Sequence, residues 1–179
     1  MPDTPIPVEI RQATLSDLDA LTELSVRTFY ETFSAQNDKE IMDRYLSENF
    51  NSTQIATELA DTQNQFFMAF SNGEPCGYVK LRRAGKTPEA LHGKKAIELQ
   101  RIYVSGAYHG KKIGAELMRH CLELASNDGF EVIWLSVWTE NPKAIKFYER
   151  WGYTIKDNLI FDFGGDLQTD YLMAKTLDQ

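Results

Sequence analysis

The spacing of apolar positions along the chain switches between two periods, and each switch marks a change of element. Val8–Gln12 reads as a short strand. Thr14-Leu15-Ser16-Asp17 then forms a capping box, with Thr14 as N-cap and Asp17 three residues on. Leu15, Leu18, Leu21 and Leu24 follow at three-residue spacing and carry a helix to about Thr28. Asn37-Asp38-Lys39-Glu40 caps a second helix bearing Ile41, Tyr45 and Leu46, and Ser52 caps a short third one with Ile55 and Leu59 on its apolar side.

Strand-like runs come next. Gln65–Phe70 and Cys76–Arg82 flank Ser71-Asn72-Gly73-Glu74-Pro75, a hairpin signal, and the polar stretch Arg83–Lys95 reads as a loop. Ala96–Val104 is a strand, a glycine- and lysine-bearing turn follows, and a helix runs from about Lys112 to Asn127 with Ile113, Leu117, Cys121, Leu124 and Ala125 apolar. Val132–Trp138 is apolar and β-rich enough for a buried strand. Asn141-Pro142 opens a further helix, with Asn as cap and Pro at the first position, and Gly152 stops it. Tyr153–Asp162 and Tyr171–Ala174 are the last strands, joined through Gly164-Gly165. Strand–helix–strand units occur only in the C-terminal half, so the pattern predicts a mixed sheet covered by helices, in the α/β (α+β) class.

Composition narrows the picture modestly. At 179 residues, 42% hydrophobic and 12% aromatic, the chain (1–179) is expected to form a single globular domain. Met1-Pro2-Asp3-Thr4-Pro5 lacks the charged start and apolar stretch of a leader, and no apolar run approaches the ~18 residues of a membrane span. Cys76 and Cys121 read as free thiols, so a cytoplasmic setting is expected, with no membrane partner. A net charge of −7 argues against a nucleic-acid partner, which needs a basic footprint; it suits a cationic small substrate and equally suits plain solubility.

The turn at 108–117, YHGKKIGAEL, raises the chemical question. A P-loop needs four residues between its glycines and a Ser or Thr after Gly-Lys; Gly106 and Gly110 have three between them, and Lys112 stands where the metal ligand belongs. A dinucleotide fingerprint lacks its first glycine and its acidic residue. A strand end followed by a helix start needs neither. The free amides of the first helical turn point outward, Gly110 and Gly114 let a diphosphate approach, and His109, Lys111 and Lys112 add positive charge. The same stretch also reads as an ordinary strand-to-helix turn with solvated lysines.

IELQRIYV (97–104), the spaced Gly114, and WLSVWTENPKAIKFYERWGY (134–153) resemble the GCN5-related N-acetyltransferase (GNAT) superfamily. Its pyrophosphate signature, Gln/Arg-x-x-Gly-x-Gly/Ala, maps onto 109–114 with two departures, His109 and Lys112. RTFYETFSAQN (27–37), QFFMAF (65–70), GYVKL (77–81) and QTDYLMAKTL (168–177) are similar to bacterial polyamine N-acetyltransferases of the PaiA type. The resemblance implies a mostly antiparallel sheet of six to seven strands, splayed in the middle and flanked by four to five helices. It also implies acetyl-CoA as acetyl donor, with no metal, and a small-molecule amine, foremost spermidine or spermine, as acceptor.

On the same basis, pantetheine would lie against the backbone of Ile102, Tyr103 and Val104, with the Val104 amide donating to the thioester carbonyl. The pyrophosphate would meet His109, Gly110, Lys111, Lys112, Ile113, Gly114 and Ala115, and Ala144 would flank the arm. Asn141 has two competing roles, helix cap or partner of the pantetheine amide. Tyr148, a phenol protonated at neutral pH, is the candidate proton donor to the leaving thiolate. Glu98 is the candidate proton acceptor, directly or through water, and reads equally as a plain strand carboxylate. Glu31, with Asp162, Asp166 and Asp170, is a candidate for holding a cationic acceptor, each against a solvated-loop alternative. His92, His109 and His120 are too scattered for a metal site or triad, and Cys121, mid-helix, is no acyl carrier. Acetylation of another amine (an amino acid, an antibiotic or a peptide N-terminus) and a non-catalytic acetyl-CoA-binding module stay open. The Tyr171–Lys175 edge offers a pairing surface for a possible homodimer.

Overall fold

The computed structural model describes residues 7–178, so the Met1–Pro5 stretch read above lies outside it. Strands β1 (Val8–Gln12), β2 (Asn64–Ser71), β3 (Glu74–Arg82), β4 (Ala96–Val104), β5 (Val132–Trp138), β6 (Thr154–Phe163) and β7 (Asp166–Thr176) form one sheet in the order β1-β2-β3-β4-β5-β7-β6. All neighbours are antiparallel except β4 and β5. Helices α1 (Leu18–Phe33), α2 (Lys39–Asn49), α3 (Ser52–Ala60), α4 (Ile113–Asn127) and α5 (Pro142–Arg150) complete the predicted class.

The two-residue alternation of the strands sorts side chains into two cores. Phe67, Val79, Leu81, Ile97 and Leu99 pack with Ile113, Leu117 and Cys121 of α4 on one face. Phe66, Met68 and Tyr78 pack with Leu21, Leu24, Met42 and Ile55 of α1–α3 on the other. Cys76 and Cys121 are both buried free thiols.

Local signals hold at most boundaries. The Thr14 amide donates to Asp17 Oδ2 at 2.9 Å, as the capping box requires, although the first turn, Leu15–Asp17, is a 3₁₀ turn. Asp38 caps α2, and Asn141 caps α5 by accepting from the Ala144 amide at 3.2 Å. The α3 cap is Asn51 rather than Ser52: Asn51 Oδ1 accepts from the Gln54 amide at 2.8 Å, one residue earlier than expected. Helix α1 runs five residues past the expected stop at Thr28, because Phe29 and Phe33 continue its apolar face into the second core.

The larger correction concerns the last strands. β7 spans Asp166–Thr176 and lies between β5 and β6, so Tyr171–Ala174 is paired on both sides, Lys175 on the β5 side, and the segment is no edge. The expected dimer pairing there has no free backbone to use. The edge strands are β1 and β6.

The feature that positions the site is the β4–β5 junction. These parallel strands pair only at Ala96↔Val132, Ile97↔Ile133 and Glu98↔Trp134. Opposite β3, the register passes from Leu81↔Leu99 to Lys80↔Arg101, leaving Gln100 as an extra residue in β4. A bulge of this kind bends its strand, and here the bend falls just past the last β4–β5 pair. Leu99–Val104 and Leu135–Trp138 therefore diverge.

Candidate active site

A cleft of about 940 Å³ occupies the divergence. Ile102, Tyr103 and Val104 form one wall, Ser136, Val137 and Trp138 the other, and the start of α4 and the side of α5 close the end. Ser105 donates its amide to Cys76 of β3 at 2.9 Å; since backbone groups alternate in direction, those of Val104 turn toward the opening. The Nε2–H of His109 donates to the Val104 carbonyl at 2.8 Å, so this ring latches the end of β4 to the turn beyond it.

Every residue singled out for acetyl-CoA lines the cleft except Lys111, which sits beside it with its ammonium 5.2 Å from the Tyr108 ring. The turn is exposed from His109 to Lys112, and the first amides of α4, which begins at Ile113, face the cleft end. A Cβ added at Gly114 would meet Phe147 and Val104 at 3.8 Å, ordinary contact, so this glycine packs against the cleft wall, while nothing stands within 4 Å of the Cβ position of Gly110. Lys112 takes the left-handed conformation (φ 63°, ψ 8°), next to Gly110 at φ 80°. A side chain in that region costs roughly 1–2 kcal/mol. Lys112→Gly should therefore raise the melting temperature by roughly 2–4 °C, while Lys112→Ala, which retains the Cβ, should not; thermal unfolding of the two variants checks this.

The Asn141 side chain is committed as the α5 cap. Tyr148, one turn on, is half-buried in the cleft, and its hydroxyl makes no hydrogen bond among the described residues. Burial pushes its phenol above the ordinary tyrosine range, so it holds its proton throughout the physiological window. Lys143 and Arg150, both exposed, line the cleft too.

Four carboxylates line the cleft: Glu31, Glu58, Glu98 and Asp170. Glu31, at the rim, accepts the Gly106 amide at 2.8 Å and ties α1 to the turn after β4. Glu98 stands at the foot of the divergence with its Oε2 3.0 Å from Arg82 Nε; burial pushes its pKa up against the pull of Arg82 and Lys80. Asp162 and Asp166 do not line the cleft: Asp162 accepts the Gly165 amide at 2.7 Å and Asp166 accepts from Gln168 at 3.0 Å, both within the β6–β7 turn.

Two features carried no readable signal. One is a buried ion cluster at the inner end. Glu58 of α3 accepts two hydrogen bonds from Arg101 (2.8 and 3.1 Å) and lies 3.0 Å from Lys80 Nζ. The other is an aromatic wall where α1 and α2 meet the sheet, built from Phe29, Phe33 and Tyr45 of the helices and Trp138, Phe161 and Phe163 of the strands. Their sequence separation hides them.

A sheet split between two parallel strands, with a helix start at its mouth, is the arrangement of an acyl-carrier-binding transferase. A profile of the Acetyltransferase (GNAT) family matches residues 18–153, and the chain belongs to that family; it is an N-acetyltransferase that uses acetyl-CoA. It is 31% identical to an uncharacterized N-acetyltransferase in the pepI 3' region of Lactobacillus delbrueckii subsp. lactis, over 95% of this chain and 98% of that one. It is 24% identical to a spermidine N(1)-acetyltransferase of Thermoplasma acidophilum, over 87% and 94%. In fold it is similar to the crystal structure of PaiA N-acetyltransferase from Thermoplasma acidophilum in complex with coenzyme A (TM-score 0.79, 22% identity, 95% and 99% covered). No helix among the described residues is long and apolar enough to cross a membrane.

Proposed function

We propose that the chain transfers the acetyl group of acetyl-CoA to a primary amine, with a polyamine such as spermidine or spermine as acceptor, by direct attack in a ternary complex. The observation that carries the reading is the pairing of an open β4–β5 divergence with an unbonded Tyr148 hydroxyl beside it. Backbone groups of Ile102–Val104 would hold the pantetheine arm, and the Val104 amide would take the charge developing on the thioester oxygen. The α4 amides with Lys112 and Gly114 would hold the pyrophosphate. Tyr148 would donate to the departing sulfur. The amine proton would pass to one of the carboxylates that line the cleft. The polyamine is supported by the Thermoplasma acidophilum relative described as a spermidine N(1)-acetyltransferase.

The test is release of free CoA from acetyl-CoA with spermidine, spermine, putrescine, amino acids and aminoglycosides offered in turn. Turnover of spermidine or spermine at least about tenfold above the rest in kcat/KM is the expected result. Preference for an amino acid or aminoglycoside would overturn the polyamine assignment and leave the transfer reaction standing.

A further inference from the structure

Of the four carboxylates in the cleft, three have partners: Glu31 the Gly106 amide, Glu58 two cations, and Glu98 an arginine. Asp170 is the exception. It is 6% exposed, lines the cleft, pairs with no cation among the described residues, and its Oδ1 makes no hydrogen bond. An unpaired polar oxygen this deeply buried is costly, and it is kept here at the wall of a binding cleft.

Its placement follows from register. Asp170 lies opposite Trp138 of β5 and Leu159 of β6, on the sheet face that also carries Gln168, Leu172 and Phe161. That is the face of Glu98, two residues before the bulge, and the face covered by α1 and α2. Apolar and aromatic side chains therefore surround one carboxyl group. The polar or titratable neighbours that reach it are the Ser136 hydroxyl from β5 and Tyr45 from α2. Tyr45 is pushed up to about 12 by burial and stays neutral.

We propose that Asp170 binds the acceptor's ammonium group and takes its proton, and that Glu98 does not. The inference rests on the reading of the chain as an amine acetyltransferase. The acceptor arrives as R–NH₃⁺ and forms an ion pair with Asp170 inside the aromatic wall, where a cation also gains from the ring faces. One N–H proton passes to the carboxylate. The freed lone pair then forms the N–C bond to the acetyl carbon, the C–S bond breaks, and the sulfur leaves with its electron pair and receives the Tyr148 proton. The second amine proton restores the phenol, and Asp170 returns its own proton to water.

Both partners are tuned toward this exchange. Burial raises the Asp170 carboxyl above the ordinary carboxylate range, and burial lowers ammonium groups in this protein, as Lys80 at about 8 demonstrates. An acceptor whose ammonium is followed by an aliphatic segment fits the site best, because the surrounding wall offers ring faces rather than further free carboxylates.

Steady-state kinetics and calorimetry on the full chain and the variants Asp170→Asn and Glu98→Gln test this with spermidine, butylamine and acetyl-CoA. Asp170→Asn should bind acetyl-CoA as the wild type does, show an unchanged or higher melting temperature, and lose about 100-fold or more in kcat/KM for the amine. The loss should shrink steadily as pH rises, since the variant depends on the fraction of amine already neutral. A merely structural role would lower stability and leave the pH profile unmoved. Glu98→Gln should not show this recovery with rising pH, whatever its effect on kcat/KM; a recovery there, and none in Asp170→Asn, overturns the assignment. Asp170→Leu, similar in size and apolar, replaces the Asn variant if that one fails to bind acetyl-CoA. An Asp170 variant with kcat/KM within roughly threefold of wild type at every pH overturns the proposal while amine acetylation stands. If the wild type turns over no amine, the acetylation reading fails on its own. Amine binding to the CoA-loaded protein then decides the site: equal binding by wild type and Asp170→Asn overturns it, and tenfold weaker binding by the variant upholds it.

Discussion

Replacing Tyr148 with Phe is expected to lower kcat by roughly 100- to 1,000-fold and to leave acetyl-CoA affinity within about twofold of wild type. The substitution removes one oxygen that makes no hydrogen bond in the free protein, so neither packing nor the α5 cap is disturbed. What is lost is the proton offered to the leaving sulfur. A phenol pushed above its ordinary range is a weak acid, and in open water it would be a poor donor to a thiolate. The cleft changes the acceptor as well as the donor. The buried Cys121 thiol on the adjacent helix is pushed to about 12 by burial, and a sulfur leaving in a dry cleft becomes more basic for the same reason. Donor and acceptor are then matched closely enough for transfer at the moment the C–S bond breaks. Measuring kcat and KM for both substrates, with acetyl-CoA binding by calorimetry, separates this role from a packing role. A kcat within roughly threefold of wild type removes Tyr148 from proton transfer.

How much of this was legible in the sequence depends on how local the determinant is. Caps and turns sit within a few residues of the backbone they serve, and Asp38, Asn141 and the Asn72-Gly73 hairpin turn (φ 52° and 82°) are where the sequence puts them. Asn and Ser cap about equally well, so composition did not decide between Asn51 and Ser52; Asn51 is the one whose side chain reaches the Gln54 amide. The extent of β7 was hidden: Asp166, Gln168 and Asp170 are polar on the face turned to the cleft side, so the run lacks the apolar alternation that marks a strand. Its position between β5 and β6 depends on the β6–β7 hairpin folding back, which no local pattern announces. The cleft itself was expected only through family resemblance. The residues that line its inner face come from positions 29 to 170 and meet through topology alone.

Replacing Glu58 with Gln is expected to cost about 3–5 kcal/mol of stability, the range for breaking a buried ion pair by removing one partner. The melting temperature should fall by roughly 6–20 °C for a chain of this size. Glu58, Lys80 and Arg101 are 11%, 3% and 12% exposed in their side chains, and Glu58 is the one anion between two cations. Burial works against its charge, yet Arg101 and Lys80 outweigh that and hold its pKa below the usual value. Without it, Lys80 and Arg101 repel each other with little water to screen them. The pH dependence carries the sign. Lys80 is already lowered to about 8 by burial and by Arg101, so the folded state sheds a proton that the unfolded chain keeps up to its ordinary value near 10.5. Between those values the unfolded chain holds more protons, and stability rises with pH. Losing Glu58 removes the group that supports Lys80's charge and moves that rise to lower pH. The deficit of Glu58→Gln should therefore narrow as pH rises toward about 8, the wild-type Lys80 value, and level off above it, while Arg101 stays charged throughout. Lys80→Met, which leaves Glu58 bound to Arg101, should cost less than half as much. The consequence reaches the site, because Arg101 is the first residue after the β4 bulge and Glu58 fixes it to α3. The bend that separates β4 from β5 is thus anchored by an ion cluster at the inner end of the cleft. Thermal unfolding across this pH range, on both variants, checks the argument. A Glu58→Gln deficit that stays constant with pH would show that Lys80 does not respond to its loss and that the cluster contributes by packing alone.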